Sequence, residues 1–269
     1  MTEHTSIDAN EIAFYERLSA LWWQENGPFW PLHRMNGLRV GYVRDILAEA
    51  FGLDASDPAP LRGLRILDIG CGGGILSEAV ARLGADVHGV DVVGKNIRAA
   101  WLHAAESGLD IAYEVASAEI LCGRGELYDA VLNMEVVEHV AELDCFLNAC
   151  MKLVRPGGVM MVATLNRTLE SWLGAIVMAE YVLRWLPRGT HRWSRFPTPL
   201  EVENLLAGGG LEVFASTGVA VNPFSLRFRL TGYMGINYIL SARKVGAAKS
   251  PGGEFDDAHL AGPRYDGVF

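Results

Sequence analysis

The chain has 269 residues, half of them hydrophobic, and a formal net charge of −9. This length fits one domain with additions or at most two, and the apolar content excludes global disorder. The acidic balance argues against nucleic-acid binding, which usually needs a basic face. The four cysteines contain no C-x-x-C pair, and the first ten residues lack an apolar signal-peptide core, so we expect reduced thiols inside the cell.

The first 60 residues are expected to form a helical cap. Aromatic and leucine side chains recur near helical spacing over 14–23, and two prolines then interrupt the pattern. A second helix is predicted over 37–51, and the stretch 54–60 has the composition of a linker. We therefore predict a cap or substrate lid at 1–60 and a main domain at 61–246.

Strand-like and helix-like patterns alternate between residues 64 and 165. This alternation predicts right-handed crossovers and a parallel sheet covered by helices on both faces. A later helix is predicted to start at Thr198, with Pro199 in its first turn and Glu201 completing a capping box. The predicted strands are 65–69, 86–90, 111–115, 128–133, 158–165, 211–219 and 235–242, and the earlier helices are 75–83, 95–107 and 137–154.

The first predicted strand ends in the glycine-rich run Leu-Asp-Ile-Gly-Cys-Gly-Gly-Gly at 67–74. Glycines let the backbone turn sharply and approach a ligand without a Cβ atom in the way. Asp91 ends the second strand, where its carboxylate can accept hydrogen bonds from a ribose diol. The spacing differs from that of dinucleotide folds because Ile75 replaces the last glycine, and no Walker-type lysine follows. The loop therefore predicts a nucleoside-type cofactor.

The glycine run and Asp91 together resemble the motifs of class I S-adenosylmethionine-dependent methyltransferases. The resemblance covers about 63–245 and implies a Rossmann-like α/β fold, with seven mostly parallel strands of which the last is antiparallel. One motif departs from the family pattern. Relatives often carry Asp-Ala-Glu after the third strand, whereas this chain has Ser-Ala-Glu at 117–119. A serine is a weaker partner than an aspartate for the adenine amine, which puts that contact in doubt.

A carboxylate–histidine cluster follows the fourth strand, at the same sheet edge as the glycine loop. If a helix starts near Glu135, then Glu135, Glu138 and His139 share one helical face. Taken alone, these residues allow three interpretations. They could ligate a divalent metal ion, supply a general base without metal, or be helix-start carboxylates beside a packed histidine.

A wider set of motifs resembles the bacterial ubiquinone-biosynthesis O-methyltransferases. This resemblance implies O-methylation of polyprenylated catechol and hydroquinone intermediates, namely 2-polyprenyl-6-hydroxyphenol and 3-demethylubiquinol. The alternatives are a methyltransferase for a soluble small phenol, and a non-catalytic cofactor- and lipid-binding subunit of a biosynthetic complex. Besides the glycine loop, the motifs are Asn36–Arg39, Met134–His139, Asn166–Thr168, Gly189–His191 and Asn237–Tyr238.

The same resemblance implies roles for individual residues. Glu135, Glu138 and His139 would form a magnesium-type site, and Glu138 or His139 could instead act as the catalytic base. Arg39 would grip the methionine carboxylate through two hydrogen bonds. The residues implied to bind S-adenosylmethionine are Arg39, Asp68, Gly70, Gly72, Asp91, Ala118 and Met134.

An apolar insertion is predicted at 168–195, after the fifth strand. Glu170, Glu180 and Arg184 interrupt it, so we do not expect it to span a membrane. Its tryptophans and arginines suit a helix lying on an anionic membrane surface, with a buried lid helix as the alternative. The polyprenyl substrates implied by the resemblance favour the surface helix, on the cytoplasmic face of the cell membrane, and allow association with other enzymes of the ubiquinone pathway. The tail at 247–269 is expected to be poorly ordered.

Overall fold

The computed structural model describes residues 6–172, 193–222 and 225–245. Eight strands form one sheet in the order β3-β2-β1-β4-β5-β8-β6-β7. Neighbouring strands from β3 to β5 are parallel, whereas β8 runs antiparallel to both β5 and β6. The strands are β1 (Arg65–Ile69), β2 (Asp86–Asp91), β3 (Ala112–Val115), β4 (Tyr128–Met134), β5 (Val154–Leu165), β6 (Leu211–Val221), β7 (Phe228–Thr231) and β8 (Asn237–Lys244).

Helices cover both faces of this sheet. Successive residues of β4 point to opposite faces, so Val131 packs into one apolar core with α5, α6 and α8, and Leu132 packs into a second core with α2, α3 and α4. The helices are α1 (Ala9–Leu18), α2 (Trp30–Phe51), α3 (Ile75–Ala81), α4 (Gly94–Glu106), α5 (Ala118–Arg124), α6 (Leu143–Leu153), the short α7 (Leu169–Ser171) and α8 (Pro199–Gly208).

The predicted α/β architecture is confirmed, including the antiparallel last strand. The sheet has one strand more than predicted, because β7 pairs with the outer edge of β6. The fifth strand begins at Val154, four residues earlier than predicted. Near its start the strand has a local irregularity, where Gly157 takes a positive φ of 77° and the pairing with β4 shifts register.

Two helix boundaries were predicted wrongly. Helix α2 begins at Trp30 instead of residue 37, because Pro31 lies in its first turn, where a helix needs no N–H donor. Helix α6 begins at Leu143 instead of residue 137. The strand pairing continues to the end of β4, where the backbone N–H of Glu135 donates to Ala163 of β5 at 2.9 Å, and a turn follows.

The predicted membrane-surface element lies mostly at 173–192, outside the described residues, as does the tail from 246 onward. In the part of the chain that the structure describes, no helix is long and apolar enough to cross a bilayer.

Candidate functional site

A cavity of about 370 Å³ opens at the carboxyl ends of β1, β2 and β4. Its volume lies within the range of about 300–1,000 Å³ that is usual for small-molecule sites. Helices α1 and α2 close the side opposite the sheet. All of the predicted site residues line this one cavity: Arg39, Asp68, Gly70, Gly72, Asp91, Ala118, Met134, Glu135, Glu138 and His139.

The glycine loop after β1 needs glycine at Gly70 and Gly72. Gly70 and Gly72 have positive φ angles of 69° and 55°, a conformation that L-residues rarely adopt. A Cβ atom on Gly72 would also lie 2.4 Å from the ring of Trp22, which packs over the loop from the N-terminal cap. The loop is therefore shaped both by its own backbone and by the cap above it.

Asp91 is held in place at the end of β2 by three donors. Its carboxylate accepts hydrogen bonds from the backbone N–H groups of Gly72 at 3.0 Å and Val93 at 2.7 Å, and from Asn96 Nδ2 at 3.4 Å. Burial raises the pKa of Asp91 above its usual value, and these hydrogen bonds oppose that rise. Trp22 Nε1 donates to Asn96 Oδ1 at 2.8 Å, which directs the Asn96 amide group toward Asp91.

Asp68 and Arg39 are both buried behind the loop, near enough for the charge of each to affect the other. Burial raises the pKa of Asp68 to about 6, while the hydrogen bond from Ser77 Oγ at 2.6 Å and the charge of Arg39 oppose the rise. Burial lowers the pKa of Arg39, and the nearby negative charges of Glu135 and Asp68 oppose this shift. Arg39 Nε makes no hydrogen bond within the described residues. A buried guanidinium with an unused donor suits a ligand that brings a carboxylate.

The segment after β4 is a turn, so the predicted helical face of Glu135, Glu138 and His139 does not exist. Glu135 has a φ of 61°, a left-handed conformation that costs about 1–3 kcal/mol in a non-glycine residue. Glu138 is buried and accepts a hydrogen bond from Thr164 Oγ1 at 2.8 Å. His139 lies nearer the cap, where both of its ring nitrogens contact residues of α1.

This arrangement does not fit the predicted magnesium-type site. Among the described residues, no group of three or more histidine, cysteine, aspartate or glutamate side chains is placed to hold a metal ion. One carboxylate oxygen of Glu138, Oε2, accepts from Thr164 Oγ1, and Glu11 and Tyr15 lie at the two nitrogens of His139.

Several residues at the cavity were not predicted as site residues. Glu11, Tyr15, Trp22 and Asn96 all line it. Tyr15 is deeply placed, and burial together with the charges of Glu138 and Glu11 raises its pKa well above the usual value. The helical spacing of the aromatic residues predicted that the cap is helical, but nothing in that spacing indicates which face meets the sheet edge.

At residue 117, where the chain departs from the family pattern, the serine side chain caps a helix. Ser117 Oγ accepts a hydrogen bond from the backbone N–H of Ile120 at 3.4 Å and thereby caps α5. The Ser117 side chain is thus the N-cap of α5.

The sheet with its antiparallel last strand, the glycine loop and the acid at the end of β2 define an S-adenosylmethionine-dependent methyltransferase. Residues 34–216 match a family model described as a methyltransferase domain. The crystal structure of magnesium protoporphyrin IX methyltransferase from Synechocystis with bound SAH has the same fold. Its TM-score is 0.53 at 21% identity, over 77% of this chain and 84% of that one.

Closer similarity is found at the level of sequence. A ubiquinone biosynthesis O-methyltransferase of Sinorhizobium medicae is 50% identical over 243 residues, which are 90% of this chain and 98% of that protein. One from Rhizobium rhizogenes is 50% identical over 242 residues, again 90% of this chain and 98% of that protein. The chain belongs to the family of ubiquinone biosynthesis O-methyltransferases.

Proposed function

We propose that this protein methylates a hydroxyl of polyprenylated catechol and hydroquinone intermediates of ubiquinone biosynthesis, 2-polyprenyl-6-hydroxyphenol and 3-demethylubiquinol. The names of relatives that are 50% identical over 90% of the chain support this acceptor class. The observation that carries the chemistry is a shared cavity. Glu138 and His139 line the same space as the glycine loop and Asp91, so a proton acceptor and a methyl donor can meet there.

The methyl donor would be held by residues from five elements, α2, β1 with its glycine loop, β2, α5 and β4. Arg39 would bind the methionine carboxylate, because its buried guanidinium has an unused donor. Asp91 would accept hydrogen bonds from the two ribose hydroxyls. The glycine loop, with Asp68 behind it, would line the cavity between Arg39 and Asp91. Ala118 and Met134 would contact the cofactor from the walls of the cavity.

At the methyl carbon, the transfer step forms a C–O bond and breaks a C–S bond. A lone pair of the acceptor oxygen attacks the methyl carbon, the C–S bond breaks, and its electron pair stays on sulfur to give S-adenosylhomocysteine. The hydroxyl proton passes to a base, since a neutral phenol is a poor nucleophile. His139 or Glu138 would take this proton, as the side chains of the cavity best placed for general base catalysis.

The family resemblance also implies a divalent cation such as Mg²⁺, which would supply Lewis-acid activation of a catechol. The described side chains do not form a ligand set for it, so we derive no step through the ion. Assays with exhaustive chelation and with added Mg²⁺ test it directly. Full activity after chelation contradicts a metal requirement. A loss of activity that is reversed only by adding a divalent ion supports it.

The function itself is tested with purified protein, labelled S-adenosylmethionine and a short-chain prenyl catechol. We expect label in an O-methyl product, and a large loss of turnover in His139→Ala and Glu138→Ala variants. Cofactor binding without methylation of any diol would favour the non-catalytic subunit. Equal turnover of a catechol without a prenyl chain would favour the soluble phenol as acceptor.

We also propose that the insertion at 168–195 rests on an anionic membrane surface on the cytoplasmic side. Support comes from the two flanks of its undescribed middle. Trp193 Nε1 donates to Thr168 O at 2.9 Å, so the flanks lie side by side. Leu169, Trp172 and Trp193 there are 74%, 41% and 39% exposed. Such side chains suit the interface of a bilayer. Co-flotation with anionic liposomes at low salt supports the proposal, and absence of flotation contradicts it.

A further inference from the structure

Helix α1 contributes two side chains to the ring of His139. Glu11 Oε2 lies 3.1 Å from His139 Nδ1, and Tyr15 Oη lies 3.2 Å from His139 Nε2. The Tyr15 ring also meets the imidazole edge-on, at 5.6 Å between centroids and 90° between planes. Helix α1 precedes the residues that match the methyltransferase domain, so these contacts are an addition to that domain.

For a neutral imidazole, the two contacts together allow only one tautomer. A carboxylate can only accept a hydrogen bond, so the hydrogen bond with Glu11 requires the proton on Nδ1. The lone pair is then on Nε2, where the Tyr15 hydroxyl donates to it. The side chains of His139 and Glu11 are only 14% and 19% exposed, so water competes weakly for this hydrogen bond.

The position of α1 is fixed by anchors at both of its ends. Before the helix, Ser6 accepts a hydrogen bond from the backbone N–H of Ala141 at 2.7 Å, and its hydroxyl donates to Glu119. Asp8 pairs with Arg195 at 2.7 Å. At the other end, Glu16 of α1 lies 3.7 Å from Lys95 Nζ. These contacts set the register of α1 against the turn that carries His139.

We propose that Glu11 is a positioning residue for His139. By holding Nδ1–H, Glu11 fixes the orientation of the ring and keeps the Nε2 lone pair directed into the cavity. Tyr15 occupies that lone pair until the hydroxyl of the acceptor replaces it. The part of this inference that concerns the acceptor rests on the proposed function, whereas the tautomer of His139 does not.

The first test compares Glu11→Gln with Glu25→Gln, the same change at an exposed position of the N-terminal cap. Glutamine keeps the shape of Glu11 but can donate as well as accept, so it no longer selects Nδ1–H. We expect kcat of Glu11→Gln to fall about tenfold or more, the size of effect that partners orienting a histidine commonly have. KM for S-adenosylmethionine and the affinity for S-adenosylhomocysteine should not change. Equal kcat values in the two variants would overturn the proposal.

A second comparison asks whether Glu11 acts through His139. If it does, adding Glu11→Gln to a His139→Asn variant should lower kcat no further, because the ring that it orients is gone. A full additional loss in the double variant would show that Glu11 acts independently, and would overturn the proposal.

A third measurement does not depend on methyl transfer. With ¹⁵N-labelled histidine and bound S-adenosylhomocysteine, NMR reports the tautomer of His139, assigned by its absence in His139→Asn. We expect Nδ1–H in the wild type and a shift toward Nε2–H in Glu11→Gln. An unchanged tautomer would reject the role of Glu11, even if no prenyl catechol proves to be a substrate. A shifted tautomer in a protein that methylates no diol would instead reject only the proposed acceptor.

Discussion

Asn96 links the aromatic cap to the acid at the end of β2. Its side-chain oxygen accepts from Trp22 Nε1 at 2.8 Å, and its amide group donates to Asp91 Oδ2 at 3.4 Å. A single buried amide thereby orients a carboxylate and holds an indole in place over the glycine loop. Asn96 thus connects the cap to Asp91.

Replacing Asn96 by Ala should weaken cofactor binding. The change removes a donor to Asp91 and leaves the buried Trp22 N–H without its acceptor, so we expect about a tenfold higher Kd for S-adenosylhomocysteine, or about 1.4 kcal/mol. Calorimetric titration measures it. Arg98→Ala, at an exposed position of the same helix, is the control. Identical affinities in the two variants would mean that Asn96 does not orient Asp91.

At the scale of elements, the C-terminal end of α6 depends on the last strand. Lys244 of β8 donates from Nζ to the backbone oxygens of Met151 and Val154, both at 2.8 Å. Burial lowers the pKa of this lysine. The free carbonyls at the end of a helix are otherwise satisfied by water or a cap, so the lysine fastens α6 to the sheet.

A Lys244→Met variant should lower the free energy of unfolding by about 1–3 kcal/mol, because two carbonyl groups lose their donor. Urea denaturation followed by circular dichroism measures this. Lys152→Met, which removes an exposed lysine of α6, is the matched control and should have little effect. A similar loss in both variants would point to general charge effects instead of the cap.

We expect His88 on β2 to make the stability of the protein depend on pH. Burial lowers its pKa below the usual value, although the charges of Glu126 and Glu114 oppose that shift. The unfolded chain then binds a proton at a higher pH than the folded one, so stability falls as pH drops through about 6.5. The other groups facing the ring are Tyr128, Arg65 and Arg124.

We expect the wild type to lose more stability than a His88→Gln variant between about pH 7.5 and about pH 5.5, because only the wild type has this proton to bind. Urea unfolding at the two pH values measures the difference. Parallel losses in the two proteins would assign the pH dependence to other groups.

Much of the sheet could be predicted because its cause is local. Residues 159–163 of β5, for example, are continuously apolar, which a strand buried on both faces requires. The start of α6 could not be predicted, because backbone pairing of Glu135 with β5 overrides the helical spacing of Glu135 and His139. Likewise, Glu11 meets His139 across 128 residues of chain, and no local pattern encodes such a contact.

At the scale of the whole molecule, the cap and the glycine loop form one packed unit. Trp22 stacks on Phe29 with 3.7 Å between ring centroids, and Trp23 Nε1 donates to Gly73 O at 2.8 Å. A ligand that stabilises the loop should therefore also stabilise the cap, because opening one disrupts contacts with the other.

S-Adenosylhomocysteine should accordingly slow amide hydrogen exchange in the cap as well as in the glycine loop. We expect protection over Ala9–Leu18 and Ser19–Leu21, and none over Pro199–Gly208, a helix whose residues do not line the cavity. Exchange mass spectrometry with and without ligand makes the comparison. Protection confined to the loop would mean that the cap opens independently.

Strand β8 lies between β5 and β6, although it follows both in the chain. While the ribosome is still synthesising residues 237–244, the nascent chain therefore holds two open sheet edges, on β5 and on β6. Open edges of this kind can pair with other chains. A message that stops before Asn237 would thus yield a sheet in two unjoined parts, β1–β5 and β6–β7, which makes a premature stop there a hazard for aggregation.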